Sequence, residues 1–399
     1  MGRALIVGGG IAGPVTAIAL KKAGWEPVVY EAYERTADGV GATLDVGVNG
    51  IAALESIGLG DLIKGKSTDA LRGAIHLGAS GKKLVEFRRF DPELADGIVG
   101  QSVLRSDLYV ALQDEAVRRG VTVEYRKRLA EAEGTAAGVR ATFEDGSQAE
   151  GDLLIGADGL HSQVRRIIDP AAPAARYTRL LQIVGQVTGI SVDAEPGVFN
   201  IVFGRRCLFC YEVHQDGRIW WLATPWRRTG PAPAQLAAIT GEQWRTELLG
   251  LVRGDRTPAA RLIEATPEIY RPLVIYHLPA VPTWHRDRMI IVGDAAHAAS
   301  PASGQGASMA IEDAVTLAKC LRDVSGVERA FGEYERLRRE RVEAIAAQGE
   351  RNRHYFFPGK VGRILWDFFI APRSARKFTA TDLSWIWNYR IDWDERVMV

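Results

Sequence analysis

Hydrophobic residues along this chain follow two rhythms. Largely apolar runs at residues 4–7, 27–30, 121–124, 152–155 and 289–292 predict strands buried on both faces, the habit of parallel sheets. From about 176 to 277 the runs shorten and alternate, as at 199–203, Leu208–Val213 and Ile219–Thr224, with turn residues such as Asp216-Gly217 between them. That pattern predicts antiparallel strands.

Residues 11–23 are rich in helix formers and end at Gly24, so residues 4–31 read as one strand–helix–strand unit. Residues 310–321 read as a helix. So do residues 334–353, where Glu335/Arg339 and Arg336/Glu340 stand four apart and suggest a solvated face. The fold class expected is α/β: a Rossmann-type nucleotide-binding domain, an inserted antiparallel β-sheet domain and a helical C-terminal segment. The parallel-type runs are far apart, so the first domain is assembled from residues 1–70, 100–175 and 278–330. Residues 71–99 and 176–277 form the second, and 331–399 the C-terminal segment, which carries Trp366, Trp385, Trp387 and Trp393.

Composition narrows the function by exclusion. The 399 residues include 50 Lys and Arg against 49 Asp and Glu, a net charge of +1. Without a basic excess there is no drive toward nucleic acid. No apolar stretch reaches the 18 residues of a membrane helix, and the opening Met-Gly-Arg leads straight into a strand. Residue 6 is neither Ser nor Thr, so Gly2 is not a myristoylation signal. A cytoplasmic protein without a membrane partner is expected. The three cysteines, Cys207, Cys210 and Cys320, are too few for a disulfide scaffold. Cys207 and Cys210 sit three apart in a strand-like run, so they face opposite sides and pack in the core rather than hold a metal.

Three segments carry chemistry. The first is Gly8-Gly-Gly10-Ile-Ala12-Gly13, between strand and helix. Gly8 permits the tight turn, Gly10 lets backbone N–H groups approach a pyrophosphate, and Gly13 lets the helix pack on the sheet. Glu31 ends the second strand, where a carboxylate accepts from ribose hydroxyls. The second is Gly156-Ala-Asp158-Gly159-Leu-His-Ser162-Gln-Val-Arg165, which alone reads as a plain turn with Ser162 as helix cap. The third runs from Gly293-Asp294 to Pro301-Ala-Ser-Gly304-Gln305-Gly306-Ala307. Asp294 follows a buried strand, at the sheet edge where α/β proteins bind ligands. Gly304 and Gly306 free the backbone to aim N–H groups at a ring carbonyl, which would stabilise negative charge on a reduced flavin.

In order and spacing, the three segments together resemble the class A flavoprotein monooxygenases, the family of para-hydroxybenzoate hydroxylase and the tetracycline-modifying monooxygenases. The likeness runs from Met1 to about Leu321. It implies non-covalent FAD, with Gly8, Gly10, Ala12 and Gly13 at the pyrophosphate and Glu31 at the adenosine ribose. It implies that Arg105 contacts FAD, that Leu129 lies beside the adenine, and that Asp158 serves both FAD and the reduced nicotinamide. Asp294 would bind the ribityl chain, and Pro301, Gly304, Gln305, Gly306 and Ala307 the isoalloxazine. Gly41-Ala42-Thr-Leu-Asp45 resembles the flavin-adjacent loop, most closely that of the tetracycline-modifying branch. The chain departs from some relatives in having Ala32 after Glu31, so that Arg35 would supply the contact of an arginine found there. It departs from many in having Ser308 in place of Asn.

The implied reaction begins with hydride from NADPH or NADH. Reduced flavin then traps O2 as a C4a-hydroperoxide, which passes one oxygen to an aromatic or polycyclic substrate. With a single G-x-G-x-x-G, the nicotinamide binds transiently without a Rossmann domain of its own. Rival readings are an epoxidase, halogenase or flavin reductase of the same fold, a nicotinamide dehydrogenase, and a non-catalytic flavoprotein-fold carrier. Trp220-Trp-Leu-Ala-Thr-Pro225 does not match the halogenase signature. No catalytic base stands out, since His76, His214, His277 and His297 all read as packed or surface residues. A monomer or homodimer is expected. If Asp216-Gly217 is a two-residue hairpin turn, Val213 pairs with Trp220, Tyr211 with Leu222 and Phe209 with Thr224. Phe209, Tyr211, Trp220 and Leu222 would then share the face that contacts substrate.

Overall fold

The computed structural model describes residues 2–34, 43–87, 97–136, 138–356 and 383–398. Four of the five runs become the inner strands of a six-stranded sheet, and the fifth, at Thr122–Glu124, forms a partly exposed edge. Arg3–Val7 lies between Leu153–Gly156 and Glu26–Tyr30, parallel to both. Thr122–Glu124 and Met289–Ile291 extend the sheet in parallel, and only the short His285–Arg286 edge runs antiparallel. Ala4, Leu5 and Ile6 are fully buried, as a strand covered on both faces requires. Helices Ala12–Lys22 and Gly306–Asp323 pack against each other within the same core.

A seven-stranded sheet holds the alternating runs. Arg176–Val187, Ile219–Thr224, Leu208–Val213 and Val198–Phe203 are successive antiparallel neighbours. The sheet is mixed rather than wholly antiparallel, because Gly73–Gly78, arriving from a distant segment, pairs in parallel with Val198–Phe203. Helices Gly241–Val252 and Ala259–Ala265 supply the core beneath one face.

The register of the central hairpin differs from the sequence expectation by one residue. Val213 faces Ile219, Tyr211 faces Trp221, and Phe209 faces Ala223. The turn has three residues: His214 N–H donates to the Arg218 carbonyl at 2.9 Å, enclosing Gln215, Asp216 and Gly217. A two-residue type I′ turn needs positive φ at both central positions. Only Gly217 has it (φ 81°), while Asp216 instead accepts from Arg218 N–H at 3.0 Å. A one-residue slip sends each side chain of one strand to the other face relative to its partner. Phe209 and Tyr211 therefore join Trp221, Trp244 and Leu248 in the core beneath the helices, with Phe209 stacked on Trp221 at 5.5 Å.

Helix Val327–Phe356 is longer than its sequence pattern suggested. Beyond it, Leu383 to Met398 returns to the first core. Arg341 donates to the carbonyls of Trp385 and Ile386, both at 2.8 Å, and Arg322 to that of Trp393 at 2.6 Å.

Candidate active site

The glycine turn sits at the carboxyl end of Arg3–Val7. Gly8 has φ 110°, and a Cβ on it would lie 2.4 Å from the Ala157 carbonyl oxygen. A Cβ on Gly13 would lie 1.9 Å from the Gly8 carbonyl oxygen. Gly10 differs: no atom stands within 4 Å of where its Cβ would be, so backbone there meets open space. No side chain caps helix Ala12–Lys22, which leaves its first N–H groups and positive dipole end to a ligand. Glu31 braces the turn by accepting from Gly9 N–H at 2.6 Å and from Tyr33 N–H at 2.9 Å.

That open space belongs to a cavity of about 1200 Å³ between the two sheets. Gly10, Ala12, Asp45, Arg105 and Asp294 line its nucleotide side. Pro301, Gly304, Gln305, Gly306 and Ala307 line the adjoining wall. Asp294 opens the short helix Asp294–His297 after Gly293, which has φ 60°, and its carboxylate is exposed into the cavity. Arg105 donates through Nε to the Tyr109 hydroxyl at 2.7 Å. The opposite wall is one face of the seven-stranded sheet, where Leu208, Cys210 and Glu212 alternate along one strand and Trp220, Leu222 and Thr224 along the next. Burial pushes the Cys210 thiol far up, so it stands neutral in that wall.

Thus Trp220 and Leu222 line the cavity, whereas Phe209 and Tyr211 lie on the far face of the same sheet. Leu129, at the head of strand Leu129–Gly134, is buried in the nucleotide-side core. Asp158 is occupied as a helix cap. It accepts from Ser162 Oγ at 2.5 Å and from the N–H groups of Gln163 at 2.7 Å and Val164 at 3.1 Å, while its neighbours Ala157 and Gly159 reach the cavity. Arg35, Gly41 and Ala42 lie outside the described residues.

Sequence reasoning missed several contributors. His76 and Gln182 line the sheet wall, and Leu383 and Trp387 close the cavity from the chain's end. The cluster of tail tryptophans was the visible signal, though nothing local shows where they dock. Behind the 301–307 loop stands a buried charge cluster. Arg338 pairs with Glu312 and Asp313, each at 2.7 Å, and all three side chains are fully buried. Asp313 also meets His297 Nε2 at 2.5 Å and accepts from Gly293 N–H at 2.9 Å, beside Asp294.

A family model described as an FAD binding domain matches residues 2–245 and 262–348. An FAD-dependent urate hydroxylase of Klebsiella pneumoniae is 30% identical over 350 residues, covering 88% of this chain and 89% of that protein. A 3-hydroxybenzoate 6-hydroxylase of Klebsiella oxytoca is 27% identical, covering 91% and 92%. The crystal structure of Klebsiella pneumoniae HpxO with FAD and uric acid superposes with a TM-score of 0.84 at 26% identity, covering 97% of this chain and 95% of that one. The tetracycline destructase Tet(51), at 21% identity and a TM-score of 0.69, shares the fold. The chain belongs to the FAD-binding-domain family and is an FAD-dependent monooxygenase of the class A flavoprotein type.

Proposed function

We propose that this enzyme consumes NADPH or NADH and places one oxygen atom of O2 on an aromatic or polycyclic small molecule bound in the cavity. The observation that carries this reading is the sharing of a single cavity by the glycine turn, Asp294 and a sheet face on which Trp220 and Leu222 stand among polar residues such as Glu212 and Gln182. A ligand pocket is ordinarily about 300–1000 Å³. At about 1200 Å³ there is room for a flavin ring and a substrate together.

The residues fit FAD. The open backbone at Gly10, with Ala12 and the close contact of Gly8 and Gly13, suits a pyrophosphate at the helix start. Glu31 would serve the adenosine ribose, and Arg105 a negatively charged part of the cofactor. Asp294 would accept from ribityl hydroxyls, and Pro301, Gly304, Gln305, Gly306 and Ala307 would flank the ring. Asp158 and Leu129 would act from behind by shaping this site. When bound, FAD takes hydride from the nicotinamide and, once reduced, activates O2.

The chain's own part is to orient and to exclude water. Trp220, Leu222 and the apolar side chains of Val184, Ile201 and Leu208 offer an aromatic ring an apolar surface, with Glu212, Gln182 and Thr224 as polar points on the same wall. Three buried free cysteines suit a reducing, cytoplasmic setting, and no helix among the described residues is long and apolar enough to cross a membrane. We read the working form as a monomer or homodimer.

Turnover under 18O2 tests the reaction. The product should carry one labelled oxygen, and label arriving only from water would overturn the assignment.

A further inference from the structure

We propose that Asn49 is a positioning residue that fixes the Gln305 side chain so that it offers an N–H donor to the flavin. This rests on the reading that the loop before Gly306 flanks the ring.

Asn49 belongs to helix Val48–Ser56, far from Gln305 in sequence, and both are 1% exposed. Asn49 Nδ2 lies 2.9 Å from Gln305 Oε1 and 2.6 Å from Glu312 Oε1. An amide nitrogen has two hydrogens, and here both are committed. The two acceptors dictate which end of the Asn49 amide faces them. That end in turn dictates that Gln305 directs its oxygen toward Asn49 and its nitrogen elsewhere. Gln305 Nε2 makes one long contact, 3.3 Å to the Gly304 carbonyl. Its second hydrogen has no acceptor among the described residues, and Gln305 lines the cavity.

Glu312 is the fixed point of the arrangement. Its carboxylate is fully buried, with Arg338 Nη1 at 2.7 Å, Arg341 Nε at 2.9 Å and Arg341 Nη2 at 2.8 Å. Burial pushes the carboxyl up, but Arg338, Arg341 and Asn49 outweigh it and hold Glu312 below the usual carboxylate range. An ionised carboxylate only accepts, so Asn49 has no alternative orientation at that end. Ion pairs this deeply buried are poor sources of stability, and fixing one orientation among several is a use that suits them. A donor held at the ring favours the reduced, negatively charged flavin.

The test compares Asn49→Leu, Gln305→Leu and the double variant with the parent. Each is measured for flavin reduction potential, for FAD affinity of the apoprotein and for melting temperature. Both single variants should bind reduced FAD about 3–10-fold more weakly than the parent, the worth of one hydrogen bond, with a negative shift in potential. The double variant should match the singles, because Asn49 acts through Gln305. If Gln305→Leu leaves the potential unchanged while FAD still binds, Gln305 offers the flavin no donor and the proposal is overturned, whereas a parent protein that itself binds no FAD would refute the loop as flavin-flanking. If Gln305→Leu shifts it while Asn49→Leu does not, or if the two effects add, the positioning role is overturned. Should Asn49→Leu fail to fold, Asn49→Ala removes the same donor without added bulk and is judged by the same outcomes.

Discussion

Arg338 Nε and Asp313 Oδ1 meet at 2.7 Å with neither side chain reached by solvent. The same guanidinium holds Glu312, so one arginine bridges two carboxylates on helix Gly306–Asp323, with Arg341 sharing the charge of Glu312. Arg338→Met keeps most of the volume but leaves both carboxylates dependent on Arg341 and His297. Removing one partner of a buried pair costs about 3–5 kcal/mol. Urea unfolding of the holoenzyme should show a loss of that size, and a midpoint equal to the parent's would deny the cluster a structural role.

The same carboxylates set a direction for pH. Burial pushes Asp313 and Glu312 up, yet His297 and Arg338 on the first, and Arg338 and Arg341 on the second, hold both below their usual range. Groups with depressed folded pKa values contribute fully above the unfolded value, about 4, and lose that contribution as pH falls through the folded value. Stability should therefore decline as pH drops below about 4. Asp313→Asn should be less stable at neutral pH and show a shallower acid decline. An equally steep decline in that variant would place the acid sensitivity elsewhere.

Two variants address the cofactor. Asp294→Ala removes a carboxylate exposed into the cavity. Hydrogen bonds to charged groups are worth about 1.5–3 kcal/mol, so FAD should be held about 10–150-fold more weakly while the apoprotein melts as the parent does. Unchanged FAD affinity would refute its placement at the ribityl chain. Gly13→Ala brings a Cβ to 1.9 Å from backbone oxygen, which no rotamer relieves. Purified Gly13→Ala protein should be colourless, and full yellow occupancy would contradict the close packing of turn and helix.

What was legible in the sequence was local. The glycine turn is written in consecutive residues because its geometry excludes Cβ atoms at Gly8 and Gly13, and the inner parallel strands show as largely apolar runs. Hairpin register was not legible, since it depends on whether Asp216 takes positive φ. The charged helix misled for a different reason. Its spacing does give the Glu335–Arg339 pair, at 2.7 Å, but Arg336 pairs with Glu333 instead of Glu340. Periodicity also cannot show that Arg338 and Arg341 meet acids on another helix. Nor can it show that Trp387 packs where a Cβ on Gly47 would lie 2.5 Å from its ring.

The hairpin offers the sharpest test of the substrate wall, because Leu222 on one of its strands and Tyr211 on the other have opposite fates. Leu222 lies opposite Cys210 on the cavity face, whereas Tyr211 lies opposite Trp221 on the face beneath the helices. Leu222→Trp adds bulk to the wall without disturbing the far core. It should retain FAD, alter the preference among aromatic substrates and divert more of the consumed NADPH or NADH to H2O2, because a poorly seated substrate captures less of the activated oxygen. Tyr211→Phe removes one hydroxyl behind the sheet. It should leave selectivity and the peroxide fraction as in the parent, with at most a change in melting temperature. Substrate profiles and peroxide yields of the two variants decide the matter. Altered selectivity in Tyr211→Phe, or a Leu222→Trp enzyme indistinguishable from the parent, would mean that the substrate meets a different face of this sheet.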